Sequence, residues 1–102
     1  MVGVRYSKTN PADAWAFRKW GDKLVKKQIN PMIDRVARTI SLMPQGEKCE
    51  CIEVGQRTSR IEVYLFADFN DGVRMWFRES DLSNPVVASQ LDASAACPWG
   101  NG

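Results

Sequence analysis

The fold is decided by residues 60–82, which read RIEVYLFADFNDGVRMWFRESDL. Two β-rich runs flank the tripeptide Asn70-Asp71-Gly72. This tripeptide is typical of a hairpin loop, because glycine at its last position adopts a left-handed conformation without steric cost. The sequence therefore predicts a β-hairpin with a three-residue loop.

The loop length also predicts which side chains share a face of the hairpin. One face would carry mainly apolar pairs, namely Phe69–Val73, Ala67–Met75 and Leu65–Phe77, followed by Val63–Glu79. The other face would carry an ion pair, an aromatic pair and a cation–π pair, namely Asp68–Arg74, Phe66–Trp76 and Tyr64–Arg78. We expect the first face to be the core face.

The second face is unusually aromatic for the outer side of a small sheet. An antiparallel sheet with one solvated side normally carries polar residues there, whereas Tyr64, Phe66 and Trp76 occupy this side. We expect something to cover these rings. A helix of the same chain, a second copy, another protein and nucleic acid bases all remain open.

Length and composition indicate a single folded domain. The chain has 102 residues, of which 44% are hydrophobic and 25% are charged. A domain of this size buries roughly two thirds of its unfolded surface. No apolar run is long enough to span a membrane, and no leader resembles a signal peptide. Three cysteines are an odd number, which fits a reducing compartment, so we expect a cytoplasmic protein.

The net charge of +2 is unevenly distributed. Residues 1–43 contain nine basic and three acidic residues, a net charge of +6, and residues 44–102 contain five basic and nine acidic residues, a net charge of −4. The two halves attract each other across a packed fold, or they solvate separate faces, or the basic half meets an acidic partner or phosphate.

A first helix is predicted to begin at Asn10-Pro11, since asparagine is a preferred N-cap and proline a preferred first helical residue. Its apolar stripe would contain Ala14, Phe17, Trp20, Gly21, Leu24 and Val25. The opposite face supplies candidate contacts for nucleic acid or an acidic partner, namely Arg18, Lys19, Lys23 and Lys26. Trp15 lies among these basic residues, where it either packs over a neighbouring segment or anchors an interface.

A second helix is predicted after Asn30-Pro31, because the residue before a proline avoids the helical conformation. We favour two helices that turn about Asn30 over one helix with a kink there. The second apolar stripe would contain Met32, Ile33, Val36, Ala37, Ile40 and Met43. The turn signal Pro44-Gln45-Gly46 would end this helix.

The predicted fold is α+β, with two N-terminal helices packed on a three-stranded antiparallel meander and a short C-terminal helix before a coil tail. Residues 48–54 form the predicted first strand, with Ile52 and Val54 on one face and Cys49 and Cys51 on the other. The C-terminal helix is predicted from Asn84-Pro85 and from the four-residue spacing of Val87, Leu91 and Ala95. The single domain, residues 1–102, divides into an arm or edge strand at 1–9, a helical half at 10–43, the sheet at 47–82, and the short helix and tail at 83–102.

The sequence contains few residues that support catalysis. Histidine is absent, which removes the commonest general base and the commonest metal ligand. No glycine-rich phosphate loop or dinucleotide fingerprint is present. Cys49-x-Cys51 has only Cys97 as a further thiol, whereas a structural zinc site uses four ligands. We therefore expect no enzyme, no cofactor and no metal, and interpret the cysteines as small apolar residues.

The sequence favours a non-enzymatic protein-binding module, either a homodimer or a small accessory or inhibitor protein that acts on a larger partner. Aromatic residues exceed what so small a core needs, and such surfaces usually mark contacts. The candidate partner-binding residues are Trp15, Tyr64, Phe66, Arg74, Trp76 and Arg78.

The alternative function is single-stranded nucleic acid binding, with bases stacked on the aromatic face and the backbone tracked by the arginines and the basic helix face. The rings would be Tyr64, Phe66 and Trp76, beside Arg74 and Arg78. The acidic residues of the sheet half argue against this alternative, since they would repel phosphate.

Overall fold

The structure is a computed structural model, and it describes residues 5–91 and 97–99. Helical elements come first along the chain and pack on one side of an antiparallel sheet, so the fold is α+β. The helical elements are a 3-10 turn at Pro11–Asp13, α1 at Ala14–Trp20, α2 at Asp22–Leu24, a π-helical turn at Val25–Ile29, α3 at Asn30–Ser41 and a 3-10 turn at Gly46–Lys48. The strands, adjacent in sequence order, are β1 at Cys49–Val54, β2 at Tyr64–Phe69, β3 at Val73–Arg78 and β4 at Asp81–Ser89.

The predicted hairpin is confirmed in both its loop and its register. Gly72 has a φ of +86°, and its backbone N–H donates to the carbonyl of Phe69 at 3.2 Å. The observed partners are Tyr64–Arg78, Leu65–Phe77, Phe66–Trp76, Ala67–Met75 and Asp68–Arg74. The apolar alternation and the loop glycine specify the same register, which explains why a local argument succeeded.

The C-terminal part of the chain differs from the prediction. The sheet has a fourth strand, β4, which pairs antiparallel with β3 and extends the sheet beyond residue 82. The described part of the predicted C-terminal helix, residues 84–91, is therefore not helical. Ala95, the last residue of its apolar spacing, lies outside the described residues.

The spacing that predicted a helix lies mostly outside the observed strand. Of the two described residues of that spacing, Val87 belongs to β4, whereas Leu91 follows its end at Ser89. Pairing with β3 and the β-branched side chains Val86 and Val87 favour the strand. Pro85 is tolerated because β4 is an edge strand, whose outer N–H groups make no ladder hydrogen bonds.

The helical half breaks at Gly21, not at Asn30. Gly21 has φ +87° and ψ +154°, which ends α1, whereas Asn30 is helical with φ −62° and ψ −44°. The segment 22–41 is continuously helical and accommodates Pro31 through the π-helical turn just before it. In that turn the Asn30 N–H donates to the carbonyl of Val25, five residues back. The prediction of two helices that turn about Asn30 was therefore wrong in its position.

The side chain of Asn30 anchors the N-terminal arm. It accepts a hydrogen bond from the backbone N–H of Tyr6 and donates one to the carbonyl of the same residue, each at 2.9 Å. Residues 5–9 form no strand, so the described part of the predicted arm or edge strand is an arm. The predicted helix start at Asn10 is confirmed, since its side chain accepts from the Ala12 N–H at 3.0 Å.

The core lies between the helical segment 22–41 and the predicted core face of the sheet. The second predicted stripe is confirmed, since its members from Met32 to Ile40 are buried and Met43 packs against them. The largest fully buried side chains are Phe69, Phe77, Ile29, Ile33, Ile40, Leu65, Val25, Val36 and Val63. The helical segment 22–41 therefore covers the core side of the sheet, whereas α1 borders the aromatic side near Phe66.

A β-bulge in β1 separates the two cysteines that were predicted to share a face. Cys49 pairs with Phe69 and Cys51 pairs with Asp68, so two steps along β1 match one step along β2. The extra residue turns Cys49 into the core, whereas Cys51 lies on the aromatic side. Ile52 and Val54 are buried on the core side, as predicted.

No helix within the two described ranges is long and apolar enough to cross a lipid bilayer.

The break at Gly21 yields a stability prediction. Its backbone angles lie in a region that is essentially restricted to glycine, and an added Cβ would contact nothing within 4 Å. We expect Gly21→Ala and Gly21→Asn each to lower the free energy of unfolding by about 1–3 kcal/mol, through backbone strain alone. Urea unfolding measures this loss.

Gly72→Asn is the matched control, since asparagine tolerates the left-handed conformation typical of such loops and an added Cβ meets equally open space. We expect it to cost less than about 1 kcal/mol. Wild-type stability in Gly21→Ala would contradict the assigned break.

Candidate functional site

The aromatic side of the sheet is the face of β2 and β3 that points away from the helices. Phe66 and Trp76 pair across these strands with ring centroids 5.0 Å apart and planes tilted by 51°. Trp76 is buried, with 4% of its surface exposed, and Tyr64 and Phe66 are half-buried. The register therefore brings together the three predicted rings, but it exposes them unequally.

Arg74 is held by both an acid and a ring on this side. Its Nε and an Nη donate to the two carboxylate oxygens of Asp68 at 2.6 and 2.8 Å. Its guanidinium lies 4.0 Å from the centroid of Phe66. The hydrogen bonds to Asp68 raise the pKa of Arg74 against the opposing effect of burial. This bidentate pair neutralises the charge of Arg74 in place.

Arg78 is paired in a similar way with a residue that precedes β2. An Nη of Arg78 lies 3.4 Å from Oε2 of Glu62, and the other carboxylate oxygen of Glu62, Oε1, accepts from the Ser80 N–H at 2.6 Å. Burial tends to raise the pKa of Glu62, but the hydrogen bonds from Ser80 and Arg78 outweigh it and lower the pKa overall. Both predicted arginines are therefore compensated by acids of the same chain.

The C-terminal segment covers part of the aromatic side. The indole of Trp99 stacks on Tyr64 with centroids 5.9 Å apart and planes at 15°, and the Arg78 guanidinium lies 5.1 Å from the Trp99 ring. The chain itself thus supplies part of the cover that the sequence left open. Tyr64 is consequently not a free surface.

Trp76 packs against the end of β1. A Cβ added to Gly55 would lie 3.1 Å from Cζ3 of Trp76 and 3.2 Å from the Cβ of Tyr64, so a larger residue would displace the indole. Two donors on this side, Trp76 Nε1 and Arg78 Nε, are buried without an acceptor among the described residues. Unpaired buried donors cost stability, so this side is incompletely satisfied within the described part of the chain.

An open cavity of about 240 Å³ lies where the N-terminal half meets the aromatic side. Four rings line it, and we call it the aromatic cavity: Tyr6, Trp15, Trp20 and Phe66. Trp15 is edge-on to its two neighbours, with centroids 5.8 Å from Tyr6 and 5.4 Å from Trp20. It remains 44% exposed. Trp15 thus lies beside the sheet rings, and its side chain borders unfilled space.

Two charged residues also line the aromatic cavity, Lys19 and Glu53. The Lys19 ammonium lies 5.1 Å from the Trp20 ring centroid. Glu53 is exposed and makes no ion pair with any described residue. Burial, followed by the nearby Glu53 carboxylate, raises the pKa of Tyr6. The cavity therefore combines aromatic faces with one basic side chain and with a carboxylate, Glu53, that forms no ion pair with a described residue.

The four basic residues predicted on the first helix do not converge on one site. Lys19 borders the aromatic cavity, Lys23 borders a separate cleft, and Lys26 borders a groove beside the N-terminal arm. Arg18 is exposed. These four residues therefore border different spaces, and their predicted contacts with nucleic acid or an acidic partner stay a prediction.

The three cysteines do not form a recognisable reactive or metal-binding centre. Within residues 5–91 and 97–99, no three His, Cys, Asp or Glu side chains are grouped to hold a metal ion. Burial raises the pKa of Cys49, Cys51 and Cys97, so each thiol favours its protonated, less nucleophilic form.

Comparisons of the chain with protein-family models, with curated proteins and with solved structures gave no match. The functional interpretation therefore depends on the geometry of this chain alone.

Sequence reasoning did not single out five residues that line the aromatic cavity, namely Tyr6, Trp20, Glu53, Val54 and Gln56. Trp20 was assigned to the buried helical stripe, and Tyr6 fell in an arm without periodicity. Glu53 carried no signal beyond being the polar residue of a strand. The side chain of Asn30 that places Tyr6 is 24 residues away in sequence, and no local pattern reports such a contact.

The lowered pKa of Glu62 predicts a pH dependence of stability. A carboxylate whose pKa falls on folding stabilises the protein above its unfolded pKa, which is near 4.5 for glutamate, and loses this effect as the pH falls through the folded pKa. We expect Glu62→Gln to destabilise the protein by about 1 kcal/mol at pH 7. The difference from wild type should shrink below pH 4.5, and urea unfolding at several pH values measures it.

Glu47→Gln is the control, because this substitution removes the same charge from an exposed position. If wild type and Glu62→Gln lose stability in parallel as the pH falls, the contacts of Glu62 with Ser80 and Arg78 do not contribute to stability.

Proposed function

We propose that this chain is a non-enzymatic protein-binding module that docks another protein through the aromatic cavity and the adjoining aromatic side of the sheet. The observation that carries the proposal is the open 240 Å³ space bordered by four aromatic rings. Interface hot spots are commonly aromatic residues in pockets that receive one side chain of the partner. Trp15 and Phe66, both predicted contact residues, lie on this cavity.

The chemistry of the aromatic cavity favours a lysine or arginine side chain of the partner as its occupant. Aromatic faces attract cations, and the uncompensated Glu53 carboxylate adds charge complementarity. The same region already holds four intramolecular cation–π contacts, namely Lys19–Trp20, Arg74–Phe66, Arg74–Trp76 and Arg78–Trp99. A basic side chain from outside would repeat this arrangement on the exposed ring of Trp15.

The pairing of the sheet arginines supports a protein partner over nucleic acid. Arg74 and Arg78 are compensated by Asp68 and Glu62, so a phosphate backbone would have to displace carboxylates to reach them. The unpaired Glu53 would repel phosphate as well. Single-stranded nucleic acid binding thus has less support than a basic protein segment.

The proposal extends to a role and a location. In this proposal the chain acts as an accessory or inhibitor protein of a larger partner. Cys49, Cys51 and Cys97 are free thiols, which is consistent with a reducing compartment, and we therefore propose the cytoplasm.

A peptide pair tests the proposed occupant. A glycine–serine nonapeptide with one central arginine, added to ¹⁵N-labelled protein, should shift the indole N–H signals of Trp15 and Trp20 with a dissociation constant of about 1–10 mM. The same peptide with a central glutamine should leave them unchanged. Equal shifts with both peptides would eliminate the basic side chain as occupant.

Two variants of the aromatic cavity should act in opposite directions. We expect Glu53→Gln to weaken binding of the arginine peptide severalfold, because it removes the attractive charge. We expect Lys19→Gln to strengthen binding, because it removes a like charge from the same cavity.

Light scattering on the pure protein identifies a second copy as the partner if it reports a dimer in which Trp15 is protected.

A further inference from the structure

A second cavity, of about 480 Å³, lies between the start of the helical segment 22–41 and the connection from β1 to β2. We call it the cationic cleft. It is bordered by Trp20, by Lys23 and Lys27 of the helical segment, and by Arg60 of the connection. Its volume falls in the range typical of small-molecule sites.

The charges around the cationic cleft are not compensated by the chain. Among the described residues, no acid forms an ion pair with Lys23, Lys27 or Arg60. The carboxylate that borders the cleft, Asp22, is paired with Lys8 outside it. The arrangement differs from that of the sheet arginines, each of which has a carboxylate in place.

The positive charges around the cationic cleft repel one another. Lys23 and Lys27 are four residues apart on one helical face, where like charges repel by some tenths of a kcal/mol. Arg60 comes from a connection far away in sequence and adds a third like charge to the same space. An anion in the cleft would relieve this repulsion and form charge-assisted hydrogen bonds with all three side chains.

We propose that the cationic cleft binds a small phosphate-bearing molecule. Lys23, Lys27 and Arg60 hold the phosphate oxygens, and the Trp20 indole forms an apolar wall against the rest of the ligand. Gln28 also borders the cleft, but its amide nitrogen already donates to Glu79 at 3.3 Å. This inference does not depend on the proposed protein-binding function, since the two cavities share only Trp20.

Calorimetric titration of the full chain tests the proposal with two probes, pyrophosphate and adenosine monophosphate. We expect saturable binding of at least one probe at low salt, with affinity falling as salt rises. Tighter binding of the monophosphate would assign its planar ring to the Trp20 wall, and equal binding would assign recognition to phosphate alone. No saturable heat with either probe would overturn the proposal.

Neighbouring lysines provide a matched pair of variants. We expect Lys27→Gln to weaken probe binding about tenfold, the equivalent of losing one charge-assisted hydrogen bond, and Arg60→Gln to do the same. Lys26→Gln removes the same charge one residue away but borders a different groove, so it should change binding less than about twofold. Circular dichroism confirms that each variant is folded, which is expected because all three side chains are exposed.

Two results would contradict the cleft as the site. Equal weakening by Lys26→Gln and Lys27→Gln would indicate a diffuse effect of net charge. If a short single-stranded oligonucleotide binds far more tightly than both probes, the ligand of the cleft is a nucleic acid strand and not a small molecule.

Discussion

The register of the β2–β3 hairpin is the constraint on which the rest of the structure depends. A three-residue loop ending in Gly72 fixes it, and a slip of one residue would move every side chain to the opposite face. With this register, Leu65 and Phe77 meet the helices and Phe66 and Trp76 meet on the far side. The same register therefore determines which side chains form the core and which form the aromatic side. A change in the loop that shifted the register would alter both faces together.

The sequence correctly predicted the elements that local residues specify. The prediction failed where the same local pattern is compatible with more than one structure. The hairpin, the helix start at Asn10 and the apolar stripe of α3 follow from loop chemistry, capping and periodicity. The strand β4 was missed because its pairing with β3 is a tertiary contact, and its own residues show no clear two-residue alternation of buried and exposed side chains. The break at Gly21 was missed because this glycine was counted as part of an apolar stripe. The bulge in β1 was missed because the alternation of side chains along a strand does not encode a bulge.

The candidate site was only partly predictable, for a reason of sequence distance. Cross-strand neighbours such as Phe66 and Trp76 follow directly from the hairpin register. The partner of Arg78, by contrast, is Glu62, 16 residues away, and the stacking of Trp99 on Tyr64 joins the tail to the sheet. Contacts of this kind arise from tertiary packing, so the sequence predicted which rings are present but not which remain accessible.

Trp20 is the wall that separates the aromatic cavity from the cationic cleft. A ligand that moved this indole in one space would change the shape of the other, which is the condition for thermodynamic linkage between the two proposed sites. Linkage is reciprocal: if an anion in the cleft strengthened or weakened docking at the cavity, docking would change the affinity for the anion by the same factor. One shared side chain would then couple the two proposed binding events.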